Sequence, residues 1–576
     1  MIEEELNHVR RFAAMLTAAA VRRRFPDAKL GGVELTESGF HSDFDVPRPL
    51  TEVDVAAIEE EMHRIVEAGA DVWPPRCRSI SSGEALRLFE GRGERWRAEW
   101  VRDHGAAAPL VRIEYGECVD VYAGELREAA PERVPAFKLL HAAGAYWRGD
   151  SANPVLQRIC GAVFADRAEL DGHLAWQEEA RQRDHRKLGK QLELFMFAEE
   201  APGMPFYLPN GAVVRNELEA LSREFLRKYG YEEVRTPMIM DRALWEQSGH
   251  WEHYRDNMYF SEMERRPLAV KPMNCPGHML LFKHKLRSYK ELPLRYAEFG
   301  QVHRHEFSGA LNGLLRVRTF CQDDAHVFAA PGQIESEMLR TIELVKEMYA
   351  VFGFEYGLEL STRPRDSMGS DEQWAAAETA LERVLRASGL PFRVNPGDGA
   401  FYGPKIDFHI KDALGRSHQC ATIQLDFLMP EKFGLAYVDE RNERKVPIVI
   451  HRAVYGSIDR FFGILIEHYA GAFPLWLAPV QAIVVPVADR HADDALRIRN
   501  RLTAAGIRAE ADVRSEKLGY KVREAQLRKI PYVAAVGDRE IADGVLQVRE
   551  RGRDEQTTLG AEEWLTILSE KIRRRE

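Results

Sequence analysis

The stretch from Arg295 to Phe328 brings three kinds of chemistry together: Arg304 and Arg316, twelve residues apart, an aromatic at Phe320, and a QDDAH run ending in His326. Arginine keeps its proton and presents a planar fork of donors, so two of them on adjacent strands can clamp phosphate oxygens and stabilise charge that develops during phosphoryl or adenylyl transfer. Between them, SGALNGLL supplies Ser, Gly and Asn turn formers flanked by alternating apolar arms. That pattern predicts two antiparallel strands joined by a loop, with both arginines facing one side. Either arginine alone is more often a partner in a surface salt bridge. A second constellation is wider. Cys275 sits in MNCPGHM, whose Pro and Gly exclude a helix interior, and His326 and His451 each end a strand-like segment. One Cys and two His make three protein ligands, the number that leaves a zinc ion open to a substrate group. Spacing this wide does not by itself specify a metal.

Around these residues, KPMNCPGH, HRHEFSGAL through TFCQDDAHVF, GAFYGPKIDF at 399–408 and VIHRAVYGSIDRF at 449–461 resemble threonyl-tRNA synthetase, a class II aminoacyl-tRNA synthetase family. The likeness runs from residue 130 to the C-terminus, through AGAYWRGD at 143–150 and RDHRKLGKQLELF at 183–195. It implies a threonine–tRNA ligase that activates L-threonine with ATP and passes it to the 3′ end of threonine tRNA. By resemblance Arg304 would hold the α-phosphate, Arg316 and Arg460 the outer phosphates, and Phe320 would stack on adenine with Gln419 nearby, while Mg2+ bridges phosphates. One Zn2+ per subunit on Cys275, His326 and His451 would take the amine and hydroxyl of threonine, so that valine, lacking the hydroxyl, is rejected. Asp324 would accept from that hydroxyl, with Gln322, Tyr402 and Lys405 lining the same pocket. His250 would assist the transfer step; packing beside Trp251 is its plainer reading.

Stepping from the site to the elements that carry it, the resemblance implies an α+β multidomain chain: an editing-like α+β domain at 1–165, a linker helix at 166–189, a class II catalytic domain at 190–476 and an α/β anticodon-binding domain at 477–576. The catalytic domain is expected to be an antiparallel sheet flanked by helices. Its entry helix, ELEALSREFLRKYGY, places Leu218, Leu221, Phe225 and Leu226 on one face with Gly230 at the stop. In the family this helix builds a homodimer interface, and a monomer's core helix would read the same way. Ser457 can cap a helix with Arg460 in its first turn. The last hundred residues read as βαβαββα, a mostly parallel sheet covered by helices. There RSEKLGYKVRE at 514–524 is the most recognisable piece, and Arg523, Glu540 and Arg549 would contact anticodon bases.

Composition is compatible with this. The 576 residues suggest three to four domains at about 150 residues each. No apolar run approaches a membrane span and MIEEELNHVRR is no signal peptide, so a cytoplasmic protein is expected, with no membrane or DNA partner. Six scattered cysteines, Cys77, Cys118, Cys160, Cys275, Cys321 and Cys420, form no short CxxC pair, which favours reduced thiols and at most one metal site. A net charge of -10 is unusual for a tRNA binder, and local basic runs at 21–25, 181–190 and the C-terminus offset it.

The chain departs from its family in two places. The editing site carries an HxxxH helix and a CxxxH segment; aligning FAAMLTAAA and ECVDVYAGEL to them puts Arg10, Ala14, Tyr122 and Leu126 at the four positions. No one-residue shift restores either pair. By the resemblance the chain is expected to start at the editing domain and to lack the family's ubiquitin-like domain. An editing-inactive enzyme is therefore expected, its N-terminal domain serving packing or acceptor binding. Around the synthetic site, Asn312, Thr319, Ala421 and Met429 replace the family's usual residues, and Ser515 replaces an anticodon-contacting Asn. These changes fit an inhibitor-tolerant second copy. Two other readings are an enzyme loading threonine onto a non-tRNA acceptor, which the retained RSEKLGYKVRE disfavours, and a non-catalytic RNA-binding regulator, which the intact arginines and ligands disfavour.

Overall fold

The computed structural model describes residues 3–68, 76–115, 118–124, 136–150 and 152–576. It divides into two compact units, Met1–Glu179 and Ala180–Glu576. In the first, helix Glu3–Arg24 lies against a four-stranded antiparallel sheet ordered Lys29–Thr36, Gly39–Asp45, Val155–Phe164, Ala136–Tyr146. The helix forms and docks because Val9, Phe12, Ala13, Leu16 and Ala20 recur at helical spacing and are buried together. Its last turn is Arg22, Arg23, Arg24, cations at the negative end of the helix dipole. A smaller antiparallel sheet joins Arg76–Ile80, Leu110–Tyr115 and Cys118–Ala123.

The larger unit is built on an eight-stranded sheet ordered Glu232–Glu233, Leu294–His303, Thr319–Ala329, Ile448–Ala453, Ser417–Asp426, Lys405–Lys411, Glu355–Ser361, Phe392–Asn395. All pairings are antiparallel except the two at the edges. Strand Ile448–Ala453 is buried along its whole length, as its place in mid-sheet requires. Helix Pro209–Lys228 contributes Leu218, Leu221, Phe225 and Leu226 to this unit's own core. Those four are thus spent within the chain, and a partner subunit would have to meet the helix's other face.

Beyond residue 480 a five-stranded sheet runs Ala509–Ala511, Ala482–Pro486, Tyr532–Val536, Val545–Glu550, Gln556–Gly560, the first three parallel and the last two antiparallel. The α/β reading holds, with two additions: a short helix Asp538–Asp543 and the edge strand Gln556–Gly560. Both are too short and too polar to show a periodic signal, and the strand is exposed over most of its length.

Candidate active site

The strand Thr319–Ala329 organises the site by simple alternation. Phe320, Gln322, Asp324 and His326 line a cavity of about 610 Å³ on one face. The intervening Cys321 and Asp323 point away; Asp323 accepts backbone N–H bonds from Val454, Tyr455 and Gly456 at 3.0–3.1 Å. The two aspartates adjacent in sequence therefore have separate tasks. Asp323 fixes where the chain leaves strand Ile448–Ala453, and Asp324 faces the cavity. Burial pushes the Asp323 carboxyl up to about 6, opposed by Arg452 and those backbone donors.

At the deep end, His326 and His451 are directly opposed across the antiparallel pair of strands, which is why residues 125 positions apart in the chain meet. Cys275 arrives from the start of helix Cys275–Lys283, and the ligand atoms of all three lie within 4.8 Å of one another. His451 Nε2 is 3.0 Å from Asp426 Oδ2, and His326 Nδ1 is 2.8 Å from His278 Nδ1. His326 Nε2 is buried with no hydrogen-bond partner. Burial, then the neighbouring His451 and His278, hold the His326 imidazole neutral, the form that ligates metals. Burial, then Asp324 and Asp426, push the Cys275 thiol up, a setting only a nearby cation reverses. An orphaned imidazole nitrogen beside a thiol and a second imidazole is a donor set that fits zinc.

Next to it, Asn274 Nδ2 donates to Asp324 Oδ2 at 3.1 Å, and Tyr402 Oη donates to Gln424 Oε1 at 2.6 Å. Gly300 is required here, because a Cβ would collide with the Asn274 amide. Met429 is fully buried in the same cluster as Cys275 and Tyr402.

The outer half of the cavity is basic. The antiparallel pair Leu294–His303 and Thr319–Ala329 is as expected, but Arg304 and Arg316 lie on the connection beyond the strand ends. The turn at Ser308–Ala310 and the Asn312–Arg316 bridge fall in the loop expected at SGALNGLL, but the loop extends on both sides to take in residues 304–318. Both arginines still line one cavity. Arg304 lies 5.0 Å above the Phe320 ring, while the exposed Arg316 pairs with Glu306 at 2.9 Å. Arg460, at the start of helix Ile458–His468, is placed by the Ser457 cap, and its buried Nε has no partner. The tip of the loop is held from behind: Leu314 N–H donates to His185 Nε2 at 3.0 Å, and His185 Nδ1 lies 2.6 Å from Glu467 Oε1.

Lys405 and Gln419 are joined through Asp407, which sequence reasoning missed: Lys405 Nζ lies 2.7 Å from Asp407 Oδ2, and Gln419 Nε2 donates to Oδ1 at 2.6 Å. Burial lowers the Lys405 ammonium pKa, but Asp407 and Asp398 outweigh it and raise it overall. A carboxylate two residues after a lysine in an otherwise apolar strand was the available signal. Thr319, by contrast, contributes a hydroxyl within 3.1 Å of His303 Nε2, and Ala421 donates its N–H to Tyr349 Oη.

His250 does not line the cavity. It is fully buried, with Nδ1 2.7 Å from Ser248 Oγ and Nε2 3.1 Å from Met273 Sδ, and burial followed by Arg304 lowers it to about 3. Arg523, Glu540 and Arg549 lie on three different elements of the C-terminal sheet domain, apart from the cavity. Arg523 is exposed on helix Leu518–Leu527, Glu540 accepts from Gly537 N–H at 3.1 Å, and the half-buried Arg549 has an unpartnered Nε. Ser515 Oγ donates to Asp489 at 2.9 Å.

In the first unit the positions aligned with an editing site are occupied differently. Arg10 binds Asn7 and the Glu37 carbonyl, and Ala14 is buried in the core. It is Arg11 that meets Tyr122, its guanidinium 4.2 Å above the ring. Leu126 lies outside the described residues.

Residues 259–469 match the tRNA synthetase class II core domain family (G, H, P, S and T), and residues 481–571 match the anticodon binding domain family. The chain is 56% identical over 553 residues to threonine–tRNA ligase 2 of Bacillus subtilis, covering 96% of this chain and 86% of that protein. Against the threonine–tRNA ligase of Acetivibrio thermocellus the identity is 48%, over 97% of this chain and 88% of the relative. The crystal structure of the RNA binding domain of threonyl-tRNA synthetase from Cryptosporidium parvum superposes with a TM-score of 0.66 at 42% identity, over 67% of this chain and 98% of that one. With the cavity, the sheet and the sequence in agreement, the chain belongs to the threonyl-tRNA synthetase family.

Proposed function

We propose that this chain activates L-threonine with ATP and Mg2+ and transfers the threonyl group to the 3′ end of threonine tRNA, without proofreading seryl-tRNA in its N-terminal unit. The observation that carries the reading is one cavity with a Cys275–His326–His451 donor set at its deep end and Arg304, Arg316 and Arg460 at its outer end. Cys275, His326 and His451 hold zinc, which supplies a Lewis-acidic point for the amine and hydroxyl of threonine. Asp324, kept in place by Asn274, accepts from that hydroxyl. Arg304 holds the α-phosphate beside Phe320, and Arg316 and Arg460 hold the outer phosphates. Phe320 stacks on adenine with Gln419 nearby, and Gln322, Tyr402 and Lys405 line the amino-acid side. His250, neutral at physiological pH, supports the transfer step from behind Met273 and Cys275.

Arg523, Glu540 and Arg549 read the anticodon. Editing is lost because Arg10, Ala14, Tyr122 and Leu126 stand where the family has its two histidines, cysteine and histidine. Met429 beside the zinc ligands and Asn312 beside Arg316 support a form tolerant of an inhibitor of the housekeeping enzyme. The domains divide as 1–165, 166–189, 190–476 and 477–576. The enzyme works as a cytoplasmic homodimer; among the described residues no helix is long and apolar enough to cross a membrane. Threonine-dependent ATP–pyrophosphate exchange, followed by aminoacylation of threonine tRNA with threonine and serine side by side, tests the reading. Exchange without transfer to tRNA would overturn it.

A further inference from the structure

Two buried groups behind the proposed metal ligands have no place in the chemistry so far. His278, on helix Cys275–Lys283, is fully buried between His326 and Glu298. Its Nδ1 lies 2.8 Å from His326 Nδ1, and its Nε2 lies 3.1 Å from Glu298 Oε2. Glu298 stands opposite Asp324 on the neighbouring strand; its other oxygen accepts from Thr236 N–H at 2.8 Å and from Lys271 Nζ at 3.1 Å.

The direction of this chain follows from what each group can do. Ionised glutamate only accepts, so His278 Nε2 carries the hydrogen. In a neutral imidazole the other nitrogen then accepts, so His326 Nδ1 carries the hydrogen between the two rings. That leaves the His326 lone pair on Nε2, the atom that is buried without a partner. Lys271 Nζ, 3.1 Å from the same carboxylate, already pairs Glu298 with a cation.

We propose that the His278–Glu298 pair is a hydrogen-bond chain of fixed direction that sets the tautomer and ring orientation of His326, a positioning role toward the metal that rests on the zinc reading above. Ligand histidines held by an outer acceptor are a general device, and loss of such a partner weakens metal binding by about 10–100-fold. Here the acceptor is itself a histidine, and the direction is imposed one residue farther out, at a carboxylate that touches no ligand.

Glu298→Gln conserves volume but can present an N–H₂ to His278 Nε2, which reverses both ring tautomers and puts a hydrogen on His326 Nε2. The test is zinc content and zinc affinity of the full chain, measured by competition with a chromophoric chelator, with the unfolding temperature of the metal-free protein as the folding control. E298Q is expected to weaken zinc at least about 10-fold. Wild-type affinity in a folded E298Q would overturn the proposal. A second pair covers a variant that does not fold: H278N keeps an acceptor for His326 Nδ1–H and H278L does not, so H278L must lose zinc more severely. Equal affinities in those two also overturn it. If C275A binds zinc as tightly as wild type, the zinc reading itself falls and takes the chain with it; loss of zinc in C275A alongside an unaffected E298Q overturns the chain alone.

Discussion

The deep end of the cavity and the Arg11–Tyr122 contact both gather polar and ionisable side chains against buried strands, and they differ in what those groups face. In the cavity, the His326 and Arg460 nitrogens are buried without partners and line open space. In the N-terminal unit, Arg11 lies on Tyr122, Arg10 is bound to Asn7 and a carbonyl, and Ala14 is packed in the core. Unsatisfied buried polar atoms are costly, so their persistence marks a place where a ligand is expected to complete the set. Around Arg11 and Tyr122 the side chains meet one another instead.

The strongest way to break this contrast is at the cavity. Arg304→Ala is expected to lower threonine-dependent ATP–pyrophosphate exchange by about 10²–10³-fold, since it removes a donor aimed at developing charge; exchange at the wild-type rate would show that Arg304 does not hold a phosphate. Next comes selectivity. A missing methyl is worth about 10–200-fold in binding alone, so the ratio of threonine to serine charging should fall in that range and stay there in an Arg11→Ala, Tyr122→Ala double variant. Seryl-tRNA hydrolysis that depends on those two residues would erase the contrast.

His185→Leu sharpens it at smaller scale. The loop bearing Arg316 would lose the acceptor of Leu314 N–H, and the KM for ATP should rise about 10-fold, near the cost of one lost buried hydrogen bond, while the KM for threonine stays put. Equal changes in both would assign His185 to general stability. Smallest is a pH effect. Burial pushes the Glu298 carboxyl up, but His278, Thr236 and Lys271 outweigh it and hold it at about 2, below its ordinary 4.5. A lowered carboxyl pKa stabilises the fold above its unfolded value and loses that contribution as pH falls. Unfolding monitored from pH 5 down to pH 2 should show a loss that E298Q lacks.

Much of the catalytic region could be read from residues alone, because its chemistry sits on strands whose period is two. The alternation of Phe320, Gln322, Asp324 and His326 becomes one face once the strand is known, Gln322 and Asp324 having been placed by the family resemblance, while Cys275, His326 and His451 were gathered by residue type and given a metal by that resemblance. What lay hidden was whom the supporting groups meet: the partners of Asp407, Gln424, Asn274 and His278 come from other strands and turns, and only the folded register shows them. The arginines were expected on strands and lie on the loop, because the strands stop at His303 and resume only at Thr319, boundaries the turn formers at 308–315 do not mark. His250, whose plainer reading was packing beside Trp251, is enclosed by Ser248 and Met273 with Phe401 edge-on, and the last two come from elsewhere in the chain.

The alternation along Thr319–Ala329 also has a genetic consequence. Substitutions there act one residue at a time, but loss of a single codon between Phe320 and Asp324 shifts the frame of the strand itself, turning later side chains to the opposite face. Asp324 would then take Asp323's place at the N–H groups of Val454, Tyr455 and Gly456, and Ala325 would stand where Asp324 faces the cavity. This segment should therefore tolerate many missense changes better than any one-residue deletion, and in a mutational scan the gap between the two should be wider here than in the neighbouring loop at 308–316.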